Sequence, residues 1–434
     1  MQPTTLSIRG HTASLPASNT VIWDVLSDLK SPSNPSGFIS LGVAENALMH
    51  TELREYLASI PPPPTTAFTY GDGPTGSKRL KSAVASFLSK GLKSFRPILP
   101  EHVAVTSGVT AAIEHTSWAF CDPGDGMLLG QPHYGAFFDD ISARPGTKVV
   151  KVSFGEIDPI GPDSVSRHED ALLESEAKGV KVKALMLCNP HNPLGRCYSR
   201  STLISLMNLC AKYQLHLISD EIYAFSTFPN ETSPLAEPFT SVLSISLSSS
   251  SLDPSHLHVL WGISKDFGSN GLRLGCLISQ SNPPLLSAIR TVGLHSGPSS
   301  LVDHVTATLL EDPSFTERYI KTNQQRLAES YTFVAAWADA HDIPYAPGVN
   351  AAFFLWCDFG AVWKKPRHAQ TLTAQIMQVL MDEKIFLASG ESFGSEKDGW
   401  FRIVFSQRRD YLEEGLKRIV KALGIEKTKK EDSG

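Results

Sequence analysis

Trp261-Gly-Ile-Ser-Lys-Asp-Phe-Gly-Ser-Asn-Gly-Leu-Arg-Leu-Gly275 follows directly on a short apolar run, Leu257-His-Val-Leu-Trp261, so a strand delivers Lys265 into a glycine-rich, hydroxyl-bearing turn that reaches Arg273. One turn therefore presents a primary amine and a guanidinium together. A lysine held as a Schiff base needs burial and a carbonyl partner, while Arg273 and the Ser264 hydroxyl suit a phosphate monoester better than any apolar ligand. The ligand this turn fits carries both a carbonyl and a phosphate. Taken alone, Ser264-Lys265-Asp266 would most often be a surface loop. Its surroundings make the difference.

Similar apolar runs recur on either side: Val103-Ala-Val-Thr106, Met127-Leu-Leu129, Val149-Val-Lys-Val-Ser-Phe154, Val182-Lys-Ala-Leu-Met-Leu-Cys188, Leu215-His-Leu-Ile-Ser219 and Leu274-Gly-Cys-Leu-Ile278. Helical patterns separate several of them, as from Ser77 to Leu92 and from Ser199 to Tyr213. Strand and helix in alternation predict an α/β fold, a mostly parallel central sheet flanked by helices on both faces. Ligands of such sheets sit at the carboxyl ends of the strands. Past residue 300 the texture changes to longer helical stretches (Val302 to Glu311, Ser314 to Ala340, Thr371 to Met381) interleaved with expected strands at Asn350-Ala-Ala-Phe-Phe-Leu-Trp356 and Trp400-Phe-Arg-Ile-Val-Phe405. This predicts a smaller α+β domain over 301–426 after a large ligand-binding domain over 49–300. Residues 1–48 are expected to pack as an N-terminal segment on the small domain or on a partner subunit, and 427–434 to be a disordered tail.

At 434 residues, with 41% hydrophobic and 19% charged positions, the chain can bury a large core. The formal net charge of −5 and the lack of a dense basic cluster outside Lys427-Thr-Lys-Lys430 argue against nucleic acid as a partner. No apolar stretch approaches a membrane span and the first residues lack a secretory pattern, which makes a cytoplasmic location the expectation. The six cysteines show neither paired nor metal-ligand spacing, so no metal and no disulfide framework is expected.

Further candidates cluster at the strand ends. Asn189-Pro-His-Asn-Pro-Leu-Gly-Arg196 follows the strand ending at Cys188; its two Asn-Pro steps hold the backbone extended and aim Asn192, whose amide can donate to a phenolate oxygen. Asp220-Glu-Ile-Tyr223 follows a strand apolar on nearly every residue. A carboxylate there is costly unless paired, and a protonated pyridine nitrogen is such a partner. Tyr223 can share the phenolate with Asn192. Thr106-Ser-Gly-Val-Thr-Ala-Ala-Ile-Glu114 reads as strand, glycine turn and helix start, leaving the amides of Gly108, Val109 and Thr110 for an anion. Tyr134 offers a face for stacking on a ring.

The ordered set, anion turn, aromatic, Asn-Pro-x-Asn-Pro, Asp-x-x-Tyr, Ser-Lys, Arg, closely resembles the fold-type I pyridoxal-phosphate enzymes of the class I/II aminotransferase group over essentially residues 20 to 420. The resemblance implies pyridoxal 5'-phosphate as cofactor, with Lys265 bonded to its aldehyde and later carrying the proton at the substrate Cα. It implies Asp220 against the ring nitrogen, Asn192 and Tyr223 on the phenolate oxygen, Tyr134 on the ring face, and Gly108, Val109, Thr110, Ser264 and Arg273 around the phosphate. Arg402, in Trp400-Phe-Arg-Ile-Val-Phe-Ser406, matches the arginine that clamps a substrate carboxylate. Because such enzymes place their sites at a dimer interface, a homodimer is implied too.

Within the group, Ser40-Leu-Gly-Val-Ala-Glu-Asn-Ala-Leu48 looks like the Ala-Glu-Asn segment of 1-aminocyclopropane-1-carboxylate synthases, which makes Glu45 a candidate at the substrate site. Two departures stand out. Gly262 occupies the position of a phosphate-binding serine, and Pro74-Thr-Gly76 replaces the synthases' Tyr-His-Gly, leaving Tyr70 upstream as a residue that could act from a neighbouring subunit. Tyr-Gly-Asp-Gly-Pro-x-Gly is similar to fungal and animal synthase-like proteins. The expected function is a lyase that breaks a carbon–sulfur bond after Cα proton abstraction, with amino transfer to a 2-oxo acid as the alternative. A non-catalytic cofactor-binding sensor is a remote third, since the stretch before the first matching helix is too short for a winged helix.

Overall fold

The apolar runs of the central sequence become strands in a computed structural model that describes residues 5–15, 20–366 and 370–425. In chain order they are β1 (Ile39–Ser40), β2 (Val103–Thr106), β3 (Gly126–Gly130), β4 (Lys148–Val152), β5 (Val182–Cys188), β6 (His216–Asp220), β7 (Leu257–Gly262), β8 (Gly275–Ile278), β9 (Phe354–Asp358), β10 (Ile385–Phe386), β11 (Ala388–Ser389) and β12 (Trp400–Val404). Seven form one sheet in the order β2-β8-β7-β6-β5-β3-β4. The strands from β3 to β7 run parallel, and β8 alone is reversed against its neighbours β2 and β7. The fold is thus α/β around a mixed, mostly parallel sheet.

Such a sheet must be apolar on both faces, and the strands meet that demand by alternation. Along β5, Ala184, Met186 and Cys188 enter one core while Leu185 and Leu187 enter the other; Ile218 and Leu217 of β6 divide in the same way. Hydroxyl caps start the covering helices. Ser77 accepts from the Leu80 amide at the head of Lys78–Gly91, and Ser199 from the Thr202 amide at the head of Arg200–Tyr213.

The helix Pro313–Asp339, capped by Asp312, runs for 27 residues and links the main sheet to the C-terminal part. Its Tyr319 hydroxyl donates to the Phe267 carbonyl, just past Lys265, and its Ser330 hydroxyl to the Phe405 carbonyl. Beyond it β11, β12 and β9 form a three-stranded antiparallel sheet backed by the helices Leu372–Asp382 and Arg409–Leu423. β1 pairs in parallel with β10, and the Leu41 carbonyl accepts the Val404 amide, so the chain from Ile39 to Asn46 is carried to the edge of the main sheet. The predicted tail at 427–434 lies outside the described residues.

One expected strand is corrected. The run Asn350 to Trp356 is not extended throughout: Ala352 sits at φ 55° in the left-handed region, and the strand begins only at Phe354. A non-glycine residue at positive φ cannot continue a ladder. Asn350 and Ala351 instead donate their amides to the Gly195 carbonyl, tying this turn to the Asn192 loop. Among the described residues no helix is long and apolar enough to cross a membrane, and no cluster of His, Cys, Asp or Glu is placed to hold a metal ion. All six cysteines are buried as free thiols.

Candidate active site

Because β5, β6 and β7 are parallel neighbours, the segments that follow them emerge on one edge of the sheet. Asn192, Asp220, Tyr223, Ser264 and Lys265 all line one cleft there. β8 runs the other way, so its beginning rather than its end reaches the same edge and adds Arg273 to the lining. Val109, Thr110 and Tyr134 join them, together with Ile113, Cys188, Ile222 and Asn270, whereas the expected Gly108 amide is taken by the Thr106 carbonyl.

The phosphate end is built from close backbone approaches. Gly108, at φ 80°, precedes the helix Val109–Phe120 with no side-chain cap, so the first amides of that helix are free for an anion. Arg273 lies over this turn: a Cβ on Gly108 would come within 2.3 Å of its Nη2. Gly262 fits the same packing, since a Cβ there would stand 2.8 Å from the Leu274 carbonyl oxygen. The departure from a serine at 262 therefore has a steric basis in this chain.

At the opposite end Asp220 is buried, with one oxygen accepting the Ile222 amide at 3.2 Å. Burial pushes its carboxyl up to about 7, against the pull of that amide and of Lys265. A buried acid with so little compensation is suited to a cationic ring nitrogen. The Lys265 amine donates to the Ala44 carbonyl at 2.7 Å. Burial lowers it to about 8, helped by the Arg402 and Arg273 charges and opposed by Glu45 and Asp220. An amine that gives up its proton near neutrality is the form that attacks a carbonyl.

Arg402 is buried on β12 and crosses to the cleft, its Nη1 donating to Asn192 Oδ1 at 2.8 Å and its Nη2 to the Gly42 carbonyl at 2.6 Å. The guanidinium packs over the Phe354 and Phe393 rings at 4.3 and 4.7 Å. Since Arg402 takes the carbonyl oxygen of Asn192, the Asn192 amide group is left to donate into the cleft. Tyr223, buried among Phe353 and Phe354, keeps its phenol protonated because burial raises it well above the usual range.

Two neighbours of these residues share Asp220's burial. Glu221 accepts from Ser219 and the Val242 amide, and Asp266 from Ser226, the Phe225 amide and Trp261; burial raises both carboxyls to about 7. Folded values above the ordinary ones mean that the stability these acids contribute is complete below about pH 4 and is lost as pH rises through about 7. Cofactor-free protein is therefore expected to melt several degrees lower at about pH 8 than at about pH 5.5, as calorimetry can measure.

Not every candidate enters the cleft. Tyr70 is 100% exposed and does not line it, so within one chain it cannot touch the cofactor. Glu45 stands at the margin: one carboxylate oxygen accepts the Asn270 side-chain amide at 3.0 Å, and the Glu45 carbonyl accepts the Ser406 hydroxyl. Asn270 itself escaped the sequence reading, although the same residue's carbonyl accepts Arg273 Nη1 at 3.2 Å. Only its place inside the glycine-rich turn hinted at it.

The family model for aminotransferase class I and II matches residues 64–419. The chain belongs to that family. Its cofactor is accordingly pyridoxal 5'-phosphate, and the free helix amides beside Arg273, the undercompensated Asp220 and the lowered amine of Lys265 fit that molecule's phosphate, ring nitrogen and aldehyde. Among proteins, it is 31% identical over 401 residues to 1-aminocyclopropane-1-carboxylate synthase-like protein 1 of Takifugu rubripes, covering 90% of this chain but 62% of that longer one. It is 29% identical over 370 residues to the probable aminotransferase gliI of Aspergillus fumigatus, covering 82% of each. Among structures, a Thermus thermophilus aspartate aminotransferase double mutant superposes with a TM-score of 0.76 at 20% identity, over 97% of this chain and all of that one, a likeness of fold.

Proposed function

We propose that this chain is a carbon–sulfur lyase acting on an amino acid whose side chain carries a thioether or sulfonium. The observation that carries the reading is Glu45, a carboxylate tethered by Asn270 beside the Gly42 and Ala44 carbonyls that receive Arg402 and Lys265. A negative group at that margin rejects substrates with a second carboxylate and tolerates neutral or cationic side chains. Bound in the cleft, pyridoxal 5'-phosphate supplies a carbonyl for the substrate amine and a ring that withdraws electrons from Cα.

The chain's own residues do the rest. Arg402 holds the substrate carboxylate and so sets which Cα bond faces Lys265; the Lys265 amine takes the Cα proton; Asp220 keeps the ring nitrogen charged; Asn192 and Tyr223 donate to the phenolate. The sulfur substituent on Cβ then leaves with the electron pair of its carbon bond, from a thioether as a thiolate that takes up a proton and from a sulfonium as a neutral thioether, while water converts the remaining fragment to a 2-oxo acid and ammonium. Tyr70, exposed as it is, acts at the cleft of a second copy, which makes the working unit a homodimer. The relatives named as synthase-like proteins support this reading.

Holoenzyme incubated with S-substituted cysteines and with an aminoacyl sulfonium is expected to release thiol or thioether in step with the keto product. Glu45→Gln is expected to raise KM for the sulfonium by roughly tenfold while leaving that for a neutral thioether within about twofold. Conversion of plain amino acids with 2-oxoglutarate, without thiol release, would instead favour amino transfer. That second reading is supported by the fungal relative's name and shares every cofactor contact.

A further inference from the structure

Asp266 follows Lys265 directly, is fully buried, and does not line the cleft. Nothing in the reaction above uses it. Both of its oxygens are nonetheless engaged: Oδ2 accepts the Trp261 indole N–H at 3.0 Å, and Oδ1 accepts the Ser226 hydroxyl at 2.7 Å and the Phe225 amide at 3.2 Å. Trp261 belongs to β7, whereas Phe225 and Ser226 belong to the loop after β6 that carries Tyr223. The tie reaches Tyr223 itself, since the Ser226 amide donates to the Tyr223 carbonyl at 2.9 Å. One carboxyl thus joins the turn bearing Lys265 to the loop bearing Tyr223, and those two residues line the same cleft. The helix Pro313–Asp339 steadies the two segments separately, through Gln324 on the Phe225 carbonyl at 3.1 Å and Tyr319 on the Phe267 carbonyl at 2.8 Å; Asp266 links them directly.

Burying a carboxyl among the rings of Phe225, Trp261 and Phe267 is costly, and an apolar side chain there would leave three donors unpaired and the loop untied. We propose that Asp266 is a positioning residue that acts through Tyr223: it holds the Tyr223 hydroxyl in register with the Lys265 amine, so that the phenol donates to the cofactor's phenolate while the lysine is joined to its aldehyde. The role rests on Tyr223 donating to that phenolate, as proposed above, and holds whichever bond then breaks. A donor stabilises the phenolate most once the neighbouring nitrogen has given up its proton, so a well-placed Tyr223 lowers the pH at which the lysine–cofactor linkage deprotonates. A displaced Tyr223 raises it.

The test is the pH titration of the holoenzyme's visible absorption, which follows the proton on that linkage without turnover. Tyr223→Phe is expected to titrate about one pH unit above wild type, and Asp266→Ala to move the same way by about half a unit or more. The double variant should titrate as Tyr223→Phe does. Trp261→Phe, which breaks the strand-side bond and leaves both loop-side ones, should melt lower yet titrate within about 0.2 units of wild type. Glu45, Asp220, Arg273 and Arg402, the charged groups that act on Lys265, remain in every variant, so the differences isolate the tie. Removing a negative charge alone would lower the titration instead. An unmoved or downward titration in Asp266→Ala, an equal shift in Trp261→Phe, or a double variant whose shifts add would each overturn the proposal. No shift in Tyr223→Phe removes the phenolate contact and the role of Asp266 with it. Should Asp266→Ala fail to fold, Ser226→Ala cuts the 2.7 Å bond alone and is expected to raise the titration by about 0.3 units; an unchanged titration there overturns the proposal equally.

Discussion

Lys265→Ala is expected to lose turnover by about 10⁴-fold or more, because the substitution removes both the amine that joins the cofactor and the base at the substrate Cα. The fold should survive. The lysine makes one hydrogen bond in this state, to the Ala44 carbonyl, and its loss costs about 1 kcal/mol. Borohydride treatment followed by mass measurement provides the direct check: wild-type protein retains the cofactor covalently and the variant does not. A variant that turned over within tenfold of wild type would remove the basis for every role assigned around the cleft. Losing the lysine should also be felt by Asp220, whose carboxyl the Lys265 charge holds down, so the variant's apo form is expected to keep that acid protonated to higher pH.

Arg402→Gln is expected to raise KM for amino acids by about 10²- to 10³-fold, corresponding to about 3 to 4 kcal/mol for a buried charged donor pair. Glutamine can neither offer two parallel donors to a carboxylate nor fill the slot between Phe354 and Phe393. The discriminating measurement uses the decarboxylated amine as substrate analogue. If Arg402 grips the carboxylate, wild type and variant should bind that amine with similar affinity; an equal penalty on both ligands would reduce Arg402 to a support for Asn192 and the Gly42 carbonyl. Some stability should be lost in either case, about 1 to 3 kcal/mol, since Asn192 Oδ1 and the Gly42 carbonyl each lose a donor.

The cleft was readable along the chain to an unusual degree because several of its parts sit at or just after the end of a strand. Cys188 ends β5 and Asn189 begins its loop; Asp220 closes β6; Gly262 closes β7 just before Lys265. In a parallel sheet, ending a strand and facing the ligand are the same event, so motif position translates into location. Arg402 was recognised only through a resemblance, since nothing local to β12 shows that its side chain reaches Asn192. The strand expected over Asn350 to Trp356 failed at Ala352, where a hydrophobic pattern concealed a left-handed turn that ties down the Asn192 loop. Asn270 carried no more than its place in the glycine-rich turn, because a tether to Glu45 is a property of neighbours remote in the chain.

What the order of residues settled was the layered sheet and the roster of groups along its carboxyl edge, since period, glycine turns and strand-end polar residues all act over a few neighbouring positions. What needed the folded molecule was the electrostatic state of those groups and their reach. Lys265 becomes a weakly basic amine and Asp220 a reluctant acid only once burial strips their water, and Arg402 meets Asn192 only once β12 is laid against the loop after β5. Tyr70 shows the converse: its motif made it a candidate for the site, and its full exposure keeps it out of the cleft of its own chain. Desolvation and long-range packing depend on three-dimensional surroundings that no local pattern encodes.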